Sequence, residues 1–349
     1  MKAYLLKGIG DFIYTDADKP ACGSREVTVR VRTAGICGSD IPRIFRTGTY
    51  SYPLIPGHEF SGIVSETGGD VDRSWLGKRV GVFPLIPCGR CVPCMNKRYE
   101  LCKSYDYLGS RSNGGFAEYV SVPEWNLIEL PENVSFEQAA MLEPMAVAVH
   151  ALRRSGVLQG QTAAICGLGT IGMLLYMILM EKGVKKIYLI GNKACQEKMA
   201  AGLGADMRCF CNDGKENADR WFGREAGPGV DVFFDCAGAA GSVGLALRHT
   251  APGGTITLVG NPVSDMLFDR QTYWKILRNQ LTVKGIWNSS FTHDADDDWH
   301  CCLDLISEGR IMPERLISHR VPFDRIAEAV EMMRDKKEGY TKVMAVVNA

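Results

Sequence analysis

The segment Thr162–Gly183, TAAICGLGTIGMLLYMILMEKG, constrains the fold more than any other stretch of the chain. A short apolar run, a glycine cluster and a longer apolar run predict a strand, a tight turn and a helix. In such a turn the first glycine permits the bend, the second lets backbone approach a pyrophosphate, and the third allows close helix packing. The motif therefore predicts a dinucleotide at the helix N-terminus, held by Gly167, Gly169, Thr170, Ile171 and Gly172. A flavin nucleotide would use a similar fingerprint.

The segments around this motif predict the fold class. KKIYLI, VDVFFDCAG and GTITLVG are strand-like and alternate with helix-like segments such as CQEKMAAGLG. This alternation predicts an α/β domain with a doubly wound parallel sheet over residues 144–288. Residues 1–143 instead contain short β-like runs separated by Gly and Pro, typical of a mostly β domain. Residues 289–349 hold two helix-like segments and the strand KVMAVV, and we expect them to return to the first domain.

Charge and the N-terminus exclude several classes of function. Lys plus Arg and Asp plus Glu each number 40, so no broad surface for nucleic acid or anionic membrane is expected. Thr162–Met180 is uncharged and long enough to span a bilayer, but its glycines and strand–turn–helix pattern argue against a membrane span. The N-terminus MKAYLLKGIGDF lacks the apolar core of a signal peptide, which predicts a cytoplasmic location.

Four cysteines lie close together in a Pro- and Gly-rich lobe at about residues 85–103, PCGRCVPCMNKRYELC. Closely spaced thiolates can converge on one tetrahedral ion, and all-cysteine sites suit structural zinc. Disulfides are disfavoured in a reducing compartment, whereas the spacing also permits an iron–sulfur cluster. Zinc is favoured, with the ligands Cys88, Cys91, Cys94 and Cys102.

A second set of metal-binding side chains is dispersed through the first domain. Cys37 in CGSD, His58 and Glu59 in GHEF, and Glu143 in LEP offer sulfur, nitrogen and oxygen. A catalytic zinc takes three protein ligands and leaves one position open. Taken alone, each residue has a simpler explanation: Cys37 as a core thiol, His58 as a loop histidine, and Glu59 and Glu143 as helix-end or ion-pair carboxylates.

Together these motifs resemble the zinc-containing medium-chain alcohol and polyol dehydrogenases, in the same order and over essentially the whole chain. The stretches CGSDIPRIF, YPLIPGHEFSG, YDYLGSRSNGGFAEY and WKILRNQLTVKGIW are most similar to family members that act on polyol phosphates. The resemblance implies a GroES-like catalytic domain, a Rossmann domain in which LVG (Val259, Gly260) also contacts the cofactor, and a homodimer or homotetramer formed partly by joined Rossmann sheets. It also implies Cys37, His58 and Glu143 as catalytic zinc ligands, with Glu59 exchanging onto the metal or lying behind it, and the four-cysteine lobe as the structural zinc site.

The chemistry implied is zinc-assisted hydride transfer between an alcohol and a nicotinamide. Ser39 is the expected first station of a proton relay, although it also reads as a helix N-cap. Pro42 stands where many relatives have the histidine that ends the relay. Candidate phosphate-binding cations for a polyol or sugar-phosphate substrate are Arg43, Arg46 and Arg111, each of which also reads as a solvated surface arginine. The rival substrate is a free polyol such as sorbitol, or a secondary alcohol.

The segment LIGNKAC bears on the cofactor. An acidic residue that binds the adenosine ribose is expected about 20 residues after the glycine motif, and Gly191 stands there. Asn192 and Lys193 follow, and Lys193 can pair with a 2′-phosphate, so the sequence predicts NADP over NAD. Lys193 also reads as a solvent-facing turn residue, and the polyol phosphate relatives are expected to use NAD. A nucleotide-binding regulator or redox sensor is the non-enzymatic alternative, which the full set of metal ligands disfavours.

Overall fold

The computed structural model, which describes residues 1–262 and 264–347, divides the chain into two units. Unit 1 comprises Met1–Pro144 and Ser290–Ala349, and unit 2 comprises Met145–Ser289. Within the described residues, no helix is both long and apolar enough to cross a bilayer.

The first segment of unit 1 is rich in short strands. Its elements are β1 (Lys2–Gly8), β2 (Asp11–Asp16), β3 (Glu26–Ile36), α1 (Asp40–Pro42), β4 (Glu59–Thr67), β5 (Arg79–Val82), β6 (Leu85–Ile86), α2 (Val92–Met95), β7 (Asp106–Tyr107), β8 (Tyr119–Pro123), β9 (Leu127–Glu129) and α3 (Phe136–Ala140). The helix α4 (Leu142–Ser155) follows and carries the chain into unit 2.

Strand and helix alternate through unit 2. Its elements are β10 (Thr162–Cys166), α5 (Thr170–Glu181), β11 (Lys186–Gly191), α6 (Ala194–Gly202), β12 (Phe210–Asn212), α7 (Ala218–Glu225), β13 (Val230–Asp235), α8 (Ala240–His249), β14 (Thr250–Leu258), α9 (Arg270–Arg278) and β15 (Thr282–Gly285). The chain then re-enters unit 1 with α10 (Asp298–Ser307), β16 (Ile317–Pro322), α11 (Ile326–Asp335) and β17 (Lys342–Val346).

The main sheet of unit 1 has the order β16-β17-β3-β4-β5-β9, and β8 pairs with β3. The long strand β3 has the sequence EVTVRVRTAGI, whose valines at alternate positions are buried. Its pairing with β4 is antiparallel and places Gly35 opposite Glu59. The last strand, β17, pairs with β3 on the other side, with Val343 opposite Ile36. One end of β3 is therefore flanked by residues from the start of β4 and the start of β17.

The sheet of unit 2 is parallel and has the order β12-β11-β10-β13-β14-β15. Counted from β10, this is the 3-2-1-4-5-6 order of the doubly wound dinucleotide-binding fold. The central strand β10, TAAIC, is buried along nearly its whole length, as expected for a strand covered on both faces. The α/β prediction for this unit is confirmed.

Candidate functional site

Three predicted metal ligands converge at the paired ends of β3 and β4. Cys37 immediately follows β3, while His58 and Glu59 lie at the start of β4. One ligand atom from each lies within 4.8 Å of the others. A Cβ on Gly35 would stand 2.2 Å from Oε2 of Glu59, so the glycine leaves the space that this carboxylate occupies. The sulfur, nitrogen and oxygen donors of this cluster suit zinc.

Asp40 lies behind the histidine and is fully buried. Its Oδ1 is 3.5 Å from Nδ1 of His58, and its Oδ2 accepts a hydrogen bond of 3.0 Å from the backbone N–H of Cys37. Burial opposes ionisation of Asp40, but His58 and the Arg43 guanidinium outweigh it and lower the pKa of the carboxyl. Because Nδ1 of His58 faces Asp40, Nε2 is the nitrogen left for a metal ion.

Glu59 has a partner that the sequence analysis missed, Lys342 at the start of β17. Both side chains are 2% exposed, and Nζ of Lys342 forms an ion pair with Oε2 of Glu59. Nζ also lies 3.4 Å from the carbonyl oxygen of Ile36. Burial lowers the pKa of Lys342, but the negative charges of Glu59 and Cys37 raise it above its usual value. A lone lysine within the apolar final strand is the only sequence signal of this contact.

Glu143 lies near this cluster but outside its set of converging ligand atoms. Its Oε1 accepts a hydrogen bond of 3.1 Å from the hydroxyl of Tyr107, another residue that the sequence analysis did not single out. Burial, together with the negative charge of Glu59, raises the pKa of Glu143 to about 7. The Tyr107 ring also lies 5.9 Å from the ring of His58. Glu143 is thus held by Tyr107, whereas Glu59 is the carboxylate grouped with Cys37 and His58.

Ser39 contacts the candidate metal ligand directly. Its Oγ donates to Sγ of Cys37 at 3.3 Å, and it makes no side-chain hydrogen bond to the following helix. That helix, α1, continues as a single π-type turn over Arg43–Thr47. The hydroxyl is exposed, so it can reach both the cluster and solvent.

The four cysteines of the lobe converge as a second candidate metal site. Sγ of Cys91 lies 3.4 Å from that of Cys94 and 3.9 Å from that of Cys102, and Cys88 lies 4.0 Å from Cys94. A tetrahedral zinc with Zn–S bonds of about 2.3 Å requires sulfur separations of about 3.8 Å. Backbone N–H groups of Lys103 and Cys94 lower the pKa of Cys91 to about 6, which favours the thiolate that binds metal. All four thiols are free of disulfides, and their geometry fits zinc.

The glycine motif forms a tight turn between β10 and α5 in which Gly167 and Gly172 leave no room for side chains. Gly167 has a positive φ of 97°, and a Cβ on Gly172 would stand 2.2 Å from the carbonyl oxygen of Gly167. Helix α5 begins at Thr170, directly after the turn, so its N-terminus is available to phosphate. Beyond β14, the N–H groups of Val259 and Gly260 both donate to the carbonyl oxygen of Asp235 at 2.8 Å.

The end of β11 forms a turn around Gln196. Oε1 of Gln196 accepts from the backbone N–H groups of Asn192 and Lys193 at 2.9 and 3.2 Å. Gly191 is buried, and both Asn192 and Lys193 are exposed. A Cβ on Gly191 would stand 2.8 Å from that same oxygen, so the turn is built around the absence of a side chain there.

The three candidate arginines have different surroundings. Arg43 forms an ion pair with the buried Asp40, and Arg46 is exposed at the end of the π-type turn. Arg111 is partly buried, and its guanidinium carbon lies over the rings of Tyr50 and Tyr105.

Comparisons with known proteins agree with this geometry. Residues 23–132 match the alcohol dehydrogenase GroES-like domain, and residues 170–308 match the zinc-binding dehydrogenase domain. Galactitol 1-phosphate 5-dehydrogenase of Escherichia coli strain K12 is 35% identical over 87% of this chain and 88% of its own. The crystal structure of galactitol-1-phosphate dehydrogenase from Escherichia coli superposes with a TM-score of 0.90 at 31% identity, covering 99% of this chain and 100% of that one.

A second solved structure carries a nucleotide. It is a protein from Sinorhizobium meliloti 1021, described as a zinc-binding dehydrogenase and bound to NADP. It is 30% identical, with a TM-score of 0.89 over 99% of this chain and 98% of that one. These matches confirm the GroES-like and Rossmann folds and the family resemblance that the sequence predicts.

Proposed function

Because this chain belongs to the family of zinc-binding alcohol and polyol dehydrogenases, we propose that it oxidises a secondary alcohol of a polyol or polyol phosphate with NADP or NAD. The observation that carries this proposal is the convergence of Cys37, His58 and Glu59 within 4.8 Å. Zinc, a nicotinamide dinucleotide and a small-molecule polyol are the ligands expected of such an enzyme.

Cys37 and His58 would hold the catalytic zinc, together with Glu59 or Glu143. A bound zinc acts there as a Lewis acid that lowers the pKa of the substrate hydroxyl. Asp40 orients the imidazole, since its Oδ1 faces Nδ1 of the ring.

The proton and the hydride leave the substrate separately. The Ser39 hydroxyl, hydrogen-bonded to Cys37, is placed to accept the hydroxyl proton and pass it to solvent or to the cofactor ribose. Pro42 has no titratable group that could extend this relay. A bound nicotinamide would supply the hydride acceptor, and the alcohol carbon, having lost a proton from its hydroxyl and a hydride, would become a carbonyl carbon.

The lobe supports a second, structural zinc, so we propose two zinc ions per chain. Cys88, Cys91, Cys94 and Cys102 supply four sulfur ligands and leave no open position, which is typical of structural sites.

The turn after β11 supports NADP as the preferred cofactor. No carboxylate stands at Gly191 to accept hydrogen bonds from both hydroxyls of an NAD ribose or to repel a 2′-phosphate. The exposed Lys193 and the start of α6 supply positive charge beside the same position.

The edge of the unit 2 sheet supports a homodimer or homotetramer. Strand β15 lies at the end of the sheet order, and its Val283 side chain is 44% exposed. Tyr273 and Leu277 on the preceding helix α9 are also more than half exposed. A sheet edge flanked by exposed apolar side chains favours pairing with a second copy.

Turnover assays test the proposal. Zinc-loaded protein is offered galactitol 1-phosphate, galactitol and sorbitol, each with NADP and with NAD, before and after dialysis against a chelator. We expect polyol-dependent reduction of the nucleotide that chelation abolishes. A protein that binds nucleotide but turns over none of these polyols, with or without zinc, would instead be a nucleotide-binding regulator or redox sensor. Turnover of sorbitol in preference to the phosphate would favour a free-polyol dehydrogenase.

A further inference from the structure

Arg111 is held by two tyrosines in unit 1, and we call Tyr50, Tyr105 and Arg111 the arginine clamp. The guanidinium carbon of Arg111 lies 4.4 Å from the ring centroid of Tyr50 and 4.3 Å from that of Tyr105. Nη1 donates to the carbonyl oxygen of Tyr105 at 3.2 Å, and Nη2 donates to the Tyr50 hydroxyl at 3.3 Å. The planar group is therefore fixed in position by ring stacking and by hydrogen bonds.

The clamp keeps an uncompensated positive charge. Over residues 1–262 and 264–347, the ion pairs of the structure include Arg43 with Asp40 but no carboxylate on Arg111. Its two hydrogen bonds leave the Nε–H and one N–H on each terminal nitrogen for a ligand. A guanidinium in this state can bind two oxygens of a phosphate group side by side.

The backbone around the clamp is also fixed. The Arg111 N–H donates to the carbonyl oxygen of Tyr107 at 2.9 Å. Oγ1 of Thr49 donates to the carbonyl oxygen of Ser110 at 2.6 Å, which ties the segment carrying Tyr50 to the loop carrying Arg111. Tyr50 is nevertheless 76% exposed and Arg111 is only partly buried, so a ligand can reach the arginine from the side on which Tyr50 lies.

A continuous series of contacts joins the clamp to the candidate zinc ligands. The rings of Tyr105 and Tyr107 pack edge to face at 6.2 Å. Tyr107 in turn donates to Glu143 and lies 5.9 Å from the ring of His58. Clamp and metal ligands belong to the same unit, so their separation is set by the fold of that unit alone.

We propose that the arginine clamp binds the phosphate monoester of a phosphorylated polyol whose oxidised carbon lies at the Cys37–His58–Glu59 cluster. This inference rests on the proposed dehydrogenase function and deepens it, because it selects the phosphorylated substrate over the free polyol. Arg43 is less suited because Asp40 already neutralises it. Arg46 is less suited because it is exposed and, among the residues that the structure describes, no aromatic ring stacks on its guanidinium.

Two measurements on the zinc-loaded, full-length protein test the clamp. Steady-state kinetics and calorimetric binding are compared for galactitol 1-phosphate and galactitol in the wild type, R111Q, R111K and the matched control R46Q. We expect R111Q to raise KM and Kd for the phosphate by roughly 30-fold or more, because a charge-assisted, two-point contact is lost. We expect kcat to change by less than about threefold and the constants for galactitol to stay unchanged, because the clamp contacts only the phosphate. R111K should recover only part of the loss, and R46Q should resemble the wild type.

The Y50A variant guards against misfolding, because an exposed ring can be removed without opening the core. It should raise KM for the phosphate by a smaller factor than R111Q and leave galactitol unaffected. The clamp proposal is overturned if wild-type protein binds galactitol as tightly as its phosphate, or if R111Q weakens both equally. If no polyol is turned over but phosphate binding still depends on Arg111, the phosphate site stands, whereas the dehydrogenase proposal and the placement of an oxidised carbon at the cluster fail.

Discussion

Substituting Gly191→Asp should reverse the cofactor preference from NADP to NAD. The new carboxylate would accept hydrogen bonds from the ribose hydroxyls of NAD and would repel a 2′-phosphate. Its Cβ would also stand 2.8 Å from Oε1 of Gln196, 3.2 Å from Cδ1 of Leu168 and 3.4 Å from Cζ of Phe210. Gln196 must therefore shift, and this shift disturbs the oxygen that accepts from the N–H groups of the β11–α6 turn.

The structure sets the size of both effects. Loss of two hydrogen bonds at an exposed turn costs about 1 to 3 kcal/mol, because each contributes roughly 0.5–1.5 kcal/mol. For a unit of this size that corresponds to a fall in Tm of roughly 2–10 °C. Replacing a favourable charge contact with a repulsive one at a solvated phosphate is worth about 2 kcal/mol, or roughly 30-fold in KM for NADP.

The assay measures KM for NADP and for NAD, with Tm, in the wild type and in G191D. Gly202→Asp is the matched control, because it adds the same charge at the other end of α6, where an added Cβ meets no atom within 4 Å. It should leave the ratio of the two KM values unchanged. Wild-type protein that already prefers NAD by a wide margin, or a G191D ratio equal to that of the control, would refute the reasoning.

Three further predictions concern other parts of the site and fold. Ser39→Ala should lower kcat at least about tenfold with little change in KM, and the deficit should shrink at high pH, where hydroxide takes the proton directly. Lys342→Met should lower the free energy of unfolding by about 3–5 kcal/mol by leaving a buried carboxylate unpaired, and adding Glu59→Gln should recover part of that loss in urea titrations. Val283→Lys should shift the protein towards monomer in sedimentation velocity. The control Leu158→Lys, at another exposed apolar position of unit 2, should not. Equal sedimentation of the two variants would count against pairing of β15 with a second copy.

Local sequence patterns predicted the fold because each of its signals spans only a few residues. The glycine turn and the alternation of strand and helix in unit 2 are properties of adjacent segments. The convergence of the four cysteines could be predicted equally well, since they lie within one loop and their close spacing suffices to suggest a common ion. The candidate cluster of Cys37, His58 and Glu59 needed the family resemblance. The register between two long strands places Gly35 opposite Glu59 and so brings Cys37, just after β3, near the carboxylate.

Contacts made by distant single residues could not be predicted in this way. Lys342 meets Glu59 across 283 positions of sequence, and only the pairing of β17 with β3 brings them together. Tyr107 lies in a two-residue strand, and nothing in the surrounding sequence marks its contact with Glu143. The stacking of Arg111 on two rings could not be predicted either, because the sequence does not distinguish a stacked arginine from one that is free in solvent.

The charges around the candidate Cys37–His58–Glu59 cluster account for why such distant contacts exist. Negative charge is concentrated at one poorly solvated place, on the carboxylates Asp40, Glu59 and Glu143 and, once a metal is bound, on the Cys37 thiolate. The positive charges of Lys342 and Arg43 compensate only part of it. A zinc ion bound to the imidazole would require a neutral His58, and with Cys37 and the three carboxylates ionised, four negative charges would then face two positive ones. The divalent cation would balance that difference. An isolated buried charge costs several kcal/mol, so two of the carboxylates are paired with a basic side chain. Lys342 forms an ion pair with Glu59, and Arg43 forms one with Asp40. In the part of the chain that the structure describes, Cys37 and Glu143 form no ion pair with a lysine or arginine, although Lys342 acts on both electrostatically. Theirs is the charge that a zinc ion would neutralise. A cluster with this charge should bind a divalent cation far more tightly than a monovalent one. The basic side chains of Lys342 and Arg43 should be as necessary for that binding as the metal ligands themselves.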